Sequence, residues 1–262
     1  MKKTLLLLFF AFGCATNPPA APQCNPGLAL VNAAAWLESS AEYRASALQT
    51  YASARKALDE ALLDTKASKP PAVILDLDET AIQNAPFEAR VIRQGKTYDA
   101  AEWSRWVSES ASSAVPGAAE FLAYAKSRGV TPFYITNRKA EEEAATRATL
   151  EKLGFPLDAD EDTVLTRSER KEWSAGDKGP RRDYVAERYR VILLLGDDLN
   201  DFIAAQGKSV EDRLGLIRAN ADKWGKTWFI LPNPVYGSWE VASAGSGTPC
   251  EQLNRKMESL KP

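Results

Sequence analysis

Two carboxylates stand two residues apart in Val73-Ile74-Leu75-Asp76-Leu77-Asp78-Glu79-Thr80, directly after a run of apolar β-formers. A second acidic set, Asp197, Asp198 and Asp201, follows a still more apolar run, Val191 to Leu195. Crowded carboxylates repel one another unless a cation or a proton is shared between them. An all-oxygen donor set suits Mg²⁺, which prefers octahedral oxygen and keeps several waters. Thr136 closes a third apolar run, Val130 to Ile135, and Lys178 precedes the Val191 run. A hydroxyl, an ammonium and a divalent cation together suit a phosphoryl group. A lone Asp-x-Asp is common and reads by itself as an acidic turn. Three polar groups at three strand ends carry the reading.

The elements that must position these groups follow from the same pattern. A continuous apolar run that switches sharply to polar residues reads as a buried parallel strand ending at a sheet's C-terminal edge. That edge is where open α/β sheets bind ligands. A fourth strand is predicted over Trp228 to Leu231, ahead of Pro232-Asn233-Pro234. Helices are predicted over Ala118 to Arg128, stopped by Gly129, over Ala140 to Leu153, stopped by Gly154, and over Tyr184 to Tyr189. Leu28 to Asp64 has no internal Gly or Pro and reads as one long helix or two, with Trp36, Tyr43, Leu48 and Leu58 as candidate core contacts. Residues 81–114 lack strong β signals and read as an irregular or helical insertion above the sheet edge. Strands alternating with helices indicate an α/β fold with a parallel, doubly wound sheet.

Composition narrows the chemistry. The chain has 262 residues, a formal net charge of −2 and no histidine. Nothing in that charge balance points to a nucleic-acid partner. Without histidine, Ser-His-Asp triads, phosphohistidine and His-ligated zinc are excluded, and acid–base work falls to carboxylates, Lys or Tyr. No Gly-Lys-Ser/Thr glycine loop is present, so a nucleoside-triphosphate P-loop is not expected.

The N-terminus reads as a targeting segment. Lys2 and Lys3 precede a short apolar stretch, Leu5 to Phe12, too short to span a bilayer as a helix. Gly13-Cys14 then resembles the end of a bacterial lipoprotein signal, with residues 1–13 removed and Cys14 lipidated. Plain secretion with cleavage nearby is the alternative. Residues 14–27 are proline-rich and read as a tether, leaving 28–262 as a single domain. Either route exports the chain to where disulfides are permitted. With Cys14 acylated, Cys24 and Cys250 remain as an even pair, and a disulfide between them is expected, tying the N-terminal segment to the C-terminal one; two free thiols are the alternative.

Taken in order, Asp76-x-Asp78-x-Thr80, Thr136, Lys178 and Gly196-Asp197-Asp198 resemble the haloacid dehalogenase superfamily of phosphohydrolases. Within it, two stretches resemble the class C, lipoprotein-type acid phosphatases: Ile74 to Asn84, and Val191 to Phe202. Further similarity lies in Val115-Pro116-Gly117-Ala118, in Phe133 to Arg138 and in Leu231 to Glu240. Asp198 departs from the family pattern, standing where Asn or Thr is usual.

The resemblance implies a Rossmann-like doubly wound sheet with a small, mainly helical cap drawn from 28–64 and 81–114. It implies an Mg²⁺-dependent acid phosphatase acting on phosphomonoesters, with nucleoside 5′-monophosphates expected among them. Asp76 would be the nucleophile and form an aspartyl-phosphate. Asp78 would protonate the leaving alkoxide and then activate water. Thr136 and Lys178 would bind the phosphoryl group. Asp76, the Asp78 backbone carbonyl and Asp197 would hold the metal, with Asp201 binding metal waters or orienting Lys178. Trp103 and Tyr236 are either substrate platforms or core aromatics. A phosphotransferase of the same fold and a phospho-ligand-binding lipoprotein without turnover are the rivals. The expected setting is the cell envelope, at the outer membrane in a Gram-negative cell, through a lipid anchor.

Overall fold

The computed structural model describes residues 24–64 and 66–261. The expected signal segment, most of the tether and Cys14 lie outside the described residues. A 3-10 turn, Pro26–Leu30, leads into α1 (Val31–Ser39) and α2 (Ala41–Ala61). Two helices rather than one occupy this stretch because Ser40 is extended and its hydroxyl accepts a hydrogen bond from the Tyr43 N–H at 3.0 Å, capping α2. Tyr43, Ala47, Tyr51, Ala54 and Leu58 form the buried stripe of α2. Leu48, expected in the core, lies one position off that stripe and is 52% exposed.

The chain then enters β1 (Pro71–Leu75), the short strand β2 (Ile82–Gln83), α3 (Ala85–Arg93), α4 (Ala100–Glu109) and β3 (Ser113–Ala114). These are followed by α5 (Ala118–Ser127), β4 (Thr131–Lys139), α6 (Glu143–Lys152), β5 (Val164–Arg167) and α7 (Gly179–Arg188). The last elements are β6 (Arg190–Gly196), α8 (Val210–Ala219), β7 (Trp228–Ile230), α9 (Ser238–Ala244) and α10 (Pro249–Ser259). Five strands form one parallel sheet in the order β5-β4-β1-β6-β7. This is the α/β architecture the apolar runs predict.

Strand β1 is central and buried on both faces. Val73 and Leu75 pack toward α2 and α5, against Tyr51, Leu58 and Phe121. Ala72 and Ile74 pack the other way, against Phe133, Leu165, Trp173 and Val185. Side chains alternate across a strand, so a strand covered on both faces must be apolar throughout. Burying each such side chain is worth roughly 1.5–3 kcal/mol.

Several elements differ from expectation. Helices α8, α9 and α10 and strand β5 lie where no element is predicted; β5 has four residues, two of them polar or charged, at the sheet edge. Helix α7 starts five residues earlier than the Tyr184 start predicted, at Gly179, because Pro180 sits in its first turn, where the missing N–H is not needed.

The insertion after β1 is helical, as α3 and α4 with the β2–β3 pair. It has its own apolar cluster of Phe87, Val91, Trp106 and Val107. Cys24 and Cys250 are joined by a disulfide across 226 residues of sequence, tying the start of the described chain to α10. No helix among the described residues is long and apolar enough to cross a membrane.

Candidate active site

The sheet register sets the site. Leu75 pairs with Leu195 of β6, and the Asp76 N–H donates to the Leu195 carbonyl at 3.0 Å. Asp76 therefore leaves β1 beside the end of β6, where Asp197 follows Gly196. The chain after Asp76 curls back, with the Ile82 N–H on the Leu77 carbonyl at 2.9 Å and the Glu79 N–H on the Ile82 carbonyl at 2.7 Å. Glu79 is the residue of this loop in left-handed backbone, at φ 57°. A non-glycine residue there is strained and persists where its surroundings fix it. Its carboxyl accepts from the Asn84 N–H at 2.7 Å and from the Tyr236 hydroxyl.

Lys178 stands at the centre. Its ammonium donates to Asp76 Oδ1 and, at 2.7 Å, to Asp201 Oδ1. Burial alone would lower its pKa, but the charges of Asp201 and Asp76 outweigh it and hold the group cationic. Two other basic residues near it in sequence are not placed to take its role. Lys171 is exposed, and Arg182 is occupied by the Asn200 and Asp201 carbonyls at 2.8 and 3.1 Å. Asp201 Oδ2 accepts from the Asp197 and Asp198 N–H groups at 3.1 and 2.9 Å. This closeness requires Gly196, because a Cβ there would overlap the Asp201 carboxyl.

Asp76, Asp197 and Asp201 each offer a carboxylate oxygen, all within 4.8 Å of one another. Asp197 is further held by the Thr80 hydroxyl at 3.2 Å and the Asn233 side-chain amide at 2.8 Å. Burial, and then the charges of Asp76 and Asp201, push the Asp197 carboxyl well above its usual range. Burial also raises Asp76 to about 7, against the opposing pull of Lys178. One ammonium does not neutralise three crowded carboxylates. The set therefore fits a hard divalent cation in charge, donor type and spacing.

Asp78 is placed apart from that cluster. Arg138 clamps its carboxylate, with Nε at 3.2 and 3.1 Å from the two oxygens and Nη2 at 2.7 Å. Asn84 adds a donor at 2.8 Å. Any metal contact from Asp78 would thus come through its backbone, not its carboxylate. Thr136 is fully buried within β4, which runs on past it, and its hydroxyl accepts from the Arg138 N–H at 3.1 Å. The neighbouring Asn137 and Arg138 line the cavity.

Asp198 is explained differently from the expected carboxylate near the metal. It accepts from the Ser238 N–H and hydroxyl, both at 2.6 Å, and from the Asn200 N–H at 2.9 Å. It caps the turn after β6 and holds the start of α9, a helix N-terminus that favours negative charge.

A cavity of about 570 Å³ opens on this edge. Asp76, Asp78, Lys178, Asp197, Asp201, Trp103 and Tyr236 all line it, so the structure brings most of the expected residues together. Trp103 is half-buried, edge-on to Phe87 with ring centres 5.1 Å apart. The Arg138 guanidinium lies 5.4 Å from its ring centre. Trp106 is core instead: it is 3% exposed and its ring N–H donates to the Asn84 side-chain carbonyl at 2.9 Å. Sequence reading assigned no role to Arg138, Asn84, Glu79 or Asn233. All four do sit in stretches already matched to a family, which was the available signal.

Comparison with known proteins agrees with this geometry. Residues 24–239 match the family model for the HAD superfamily, subfamily IIIB (acid phosphatase). The solved class C acid phosphatase from Bacillus anthracis is 33% identical, with a TM-score of 0.84 over 91% of this chain and 99% of that one. The same enzyme with tungstate bound is 32% identical, at the same TM-score and coverage.

Proposed function

The chain belongs to the HAD superfamily, subfamily IIIB, the acid phosphatases, and from that premise we propose that it hydrolyses phosphomonoesters, including nucleoside 5′-monophosphates, through an aspartyl-phosphate on Asp76 with Mg²⁺ as cofactor. Membership of a phosphatase family sets aside the rival of a binding protein without turnover. The observation that carries the reading is Lys178 held between Asp76 and Asp201, with Asp197 beside them, at the wall of one cavity.

Each residue has a stated task. The Asp76 carboxylate attacks phosphorus as the bond to the ester oxygen breaks. Lys178 holds Asp76 in place and offsets negative charge on the phosphoryl group. Asp78, fixed by Arg138 and Asn84, is the acid–base group: having taken up a proton from solvent, it passes that proton to the departing oxygen. It then takes a proton from the water that cleaves the Asp76–phosphorus bond, which returns both carboxylates to their starting state. Asp76, the Asp78 backbone carbonyl and Asp197 would hold the Mg²⁺, with Asp201 beside them orienting Lys178 or binding metal waters; when bound, the ion would neutralise carboxylate and phosphoryl charge. A panel of phosphomonoesters assayed with and without Mg²⁺ tests the reading. Absence of phosphate release from every member would contradict it.

Nucleotide preference rests on Trp103 and Tyr236, which offer two rings to the cavity. Base–aromatic stacking is worth about 1–3 kcal/mol per base. Trp103→Ala is therefore expected to weaken apparent binding of nucleoside monophosphates roughly 5- to 100-fold. Hydrolysis of a small aliphatic phosphomonoester should change far less. Equal losses on both substrates in steady-state kinetics would mean that Trp103 only packs against Phe87.

The envelope setting is proposed from residues 1–14. Cys14→Ser is expected to move the protein from the membrane fraction to the soluble one, because acylation of Cys14 is the proposed anchor. Unchanged partitioning would point to another attachment.

A further inference from the structure

One group in the cavity wall has no task in the mechanism above. Glu88 lies on α3, one residue beyond the core residue Phe87, and is 6% exposed. It lines the same cavity as Asp76 and Lys178, which Trp103 and Tyr236 also line. Among the described residues no hydrogen-bond donor reaches its carboxyl. Burial, and secondarily the charge of Glu240, push it up to about 7. Glu240 does not relieve it, being a like charge already paired with Lys256.

The Glu88 carboxyl oxygens are not among the buried atoms left without a partner; they open on the cavity, where a bound ligand can supply the donor that no protein group supplies. The geometry points to Glu88 as a specificity-determining residue, accepting a hydrogen bond from an O–H or N–H on the alcohol half of the phosphomonoester. The favoured substrates are then esters whose leaving group carries a hydroxyl or amino donor, as distinct from purely hydrocarbon leaving groups. A hydroxylated and an aminated leaving group share this chemistry. The inference rests on reading the cavity as the leaving-group pocket of a phosphatase.

The test compares kcat/KM for three probes in wild type, Glu88→Gln and Glu88→Leu. Phenyl phosphate has a ring and no donor. Adenosine 5′-monophosphate has hydroxyl and amino donors. Tyramine phosphate is an aryl ester with an ammonium. In Glu88→Leu the ratio of at least one donor-bearing probe to phenyl phosphate is expected to fall about tenfold or more, the scale of a lost hydrogen bond to a charged group. Glu88→Gln keeps an acceptor oxygen and nearly the same shape, so it remains informative if the Leu variant fails to fold. There the ratio for tyramine phosphate should fall if the ammonium is recognised, and the ratio for adenosine 5′-monophosphate if the carboxylate charge strengthens a neutral donor's bond. Ratios within about twofold of wild type for both donor-bearing probes would overturn the role of Glu88. So would an equal loss on all three probes. A wild-type protein that turns over none of the three overturns the phosphatase site itself; unchanged ratios on an active enzyme overturn only this inference.

Discussion

Asp76→Asn is expected to lower kcat by roughly 10⁴-fold or more, the scale seen when a nucleophile is removed from an enzyme that acts through it. The amide has nearly the shape of the carboxylate but is a far poorer nucleophile. The fold should survive, for reasons visible at the site. Lys178 keeps its hydrogen bond to Asp201 at 2.7 Å, so no ammonium is left buried and alone. The Asp76 N–H bond to Leu195 belongs to the backbone and is unaffected. Removing one of three crowded carboxylates also relieves repulsion, so the melting temperature of the metal-free protein should hold or rise. Kinetics together with a thermal melt check this. Activity within tenfold of wild type, or an unfolded variant, would contradict the assignment.

Exhaustive chelation is expected to cut turnover roughly a hundredfold or more, since a bound cation supplies several kcal/mol of charge stabilisation. Mg²⁺ should restore it. The same ion should be visible in stability, with a definite pH dependence. Asp76 is raised from 3.8 to about 7 in the folded protein, by burial first, and Asp197 moves the same way. The folded protein then binds protons that the unfolded chain has released. A raised carboxyl contributes stability that is fully present below its unfolded pKa and is lost as pH rises through its folded one. The metal-free protein should therefore lose melting temperature from about pH 5 to about pH 8. Metal binds the deprotonated carboxylates, so its stabilising effect should be larger at the higher pH. At about a hundred times its dissociation constant a ligand adds about 2.7 kcal/mol. For a chain of this size that is a rise of roughly 5–10 °C. Differential scanning calorimetry at both pH values measures it. A shift that is absent, or larger at the lower pH, would contradict a metal held by Asp76 and Asp197.

The strands that build the site were legible because burial on both faces leaves an uninterrupted apolar signature. Val73 to Leu75 and Val191 to Leu195 carried it in full, and Phe133 to Ile135 carried it within Val130 to Ile135. Strand β5 did not, since an edge strand of four residues containing Thr166 and Arg167 has no such run. The start of α7 was hidden because Gly179 and Pro180 resemble a turn unless the proline is known to occupy a helix's first turn. Leu48 shows the limit of apolarity as a guide, because the stripe of α2 is set by helical phase.

The reacting groups were legible because their types and order are specific. Their supports were not. Arg138 reaches Asp78 across sixty residues of sequence, and Asn233 reaches Asp197 across thirty-six. Nothing local in the chain announces such a pairing. Asp198 shows the converse. Its position among the acidic residues suggested a metal neighbour, whereas its hydrogen bonds go to Ser238 and Asn200.

The covalent step is the centre of the account, and trapping it is the most direct measurement. Enzyme mixed with a labelled phosphomonoester and quenched in acid during turnover should retain phosphate on the peptide that contains Asp76. Peptide mapping should place the label on Asp76 itself, and Asp76→Asn should give none. Label on another residue, or full turnover with no labelled peptide at any quench time, would contradict the mechanism.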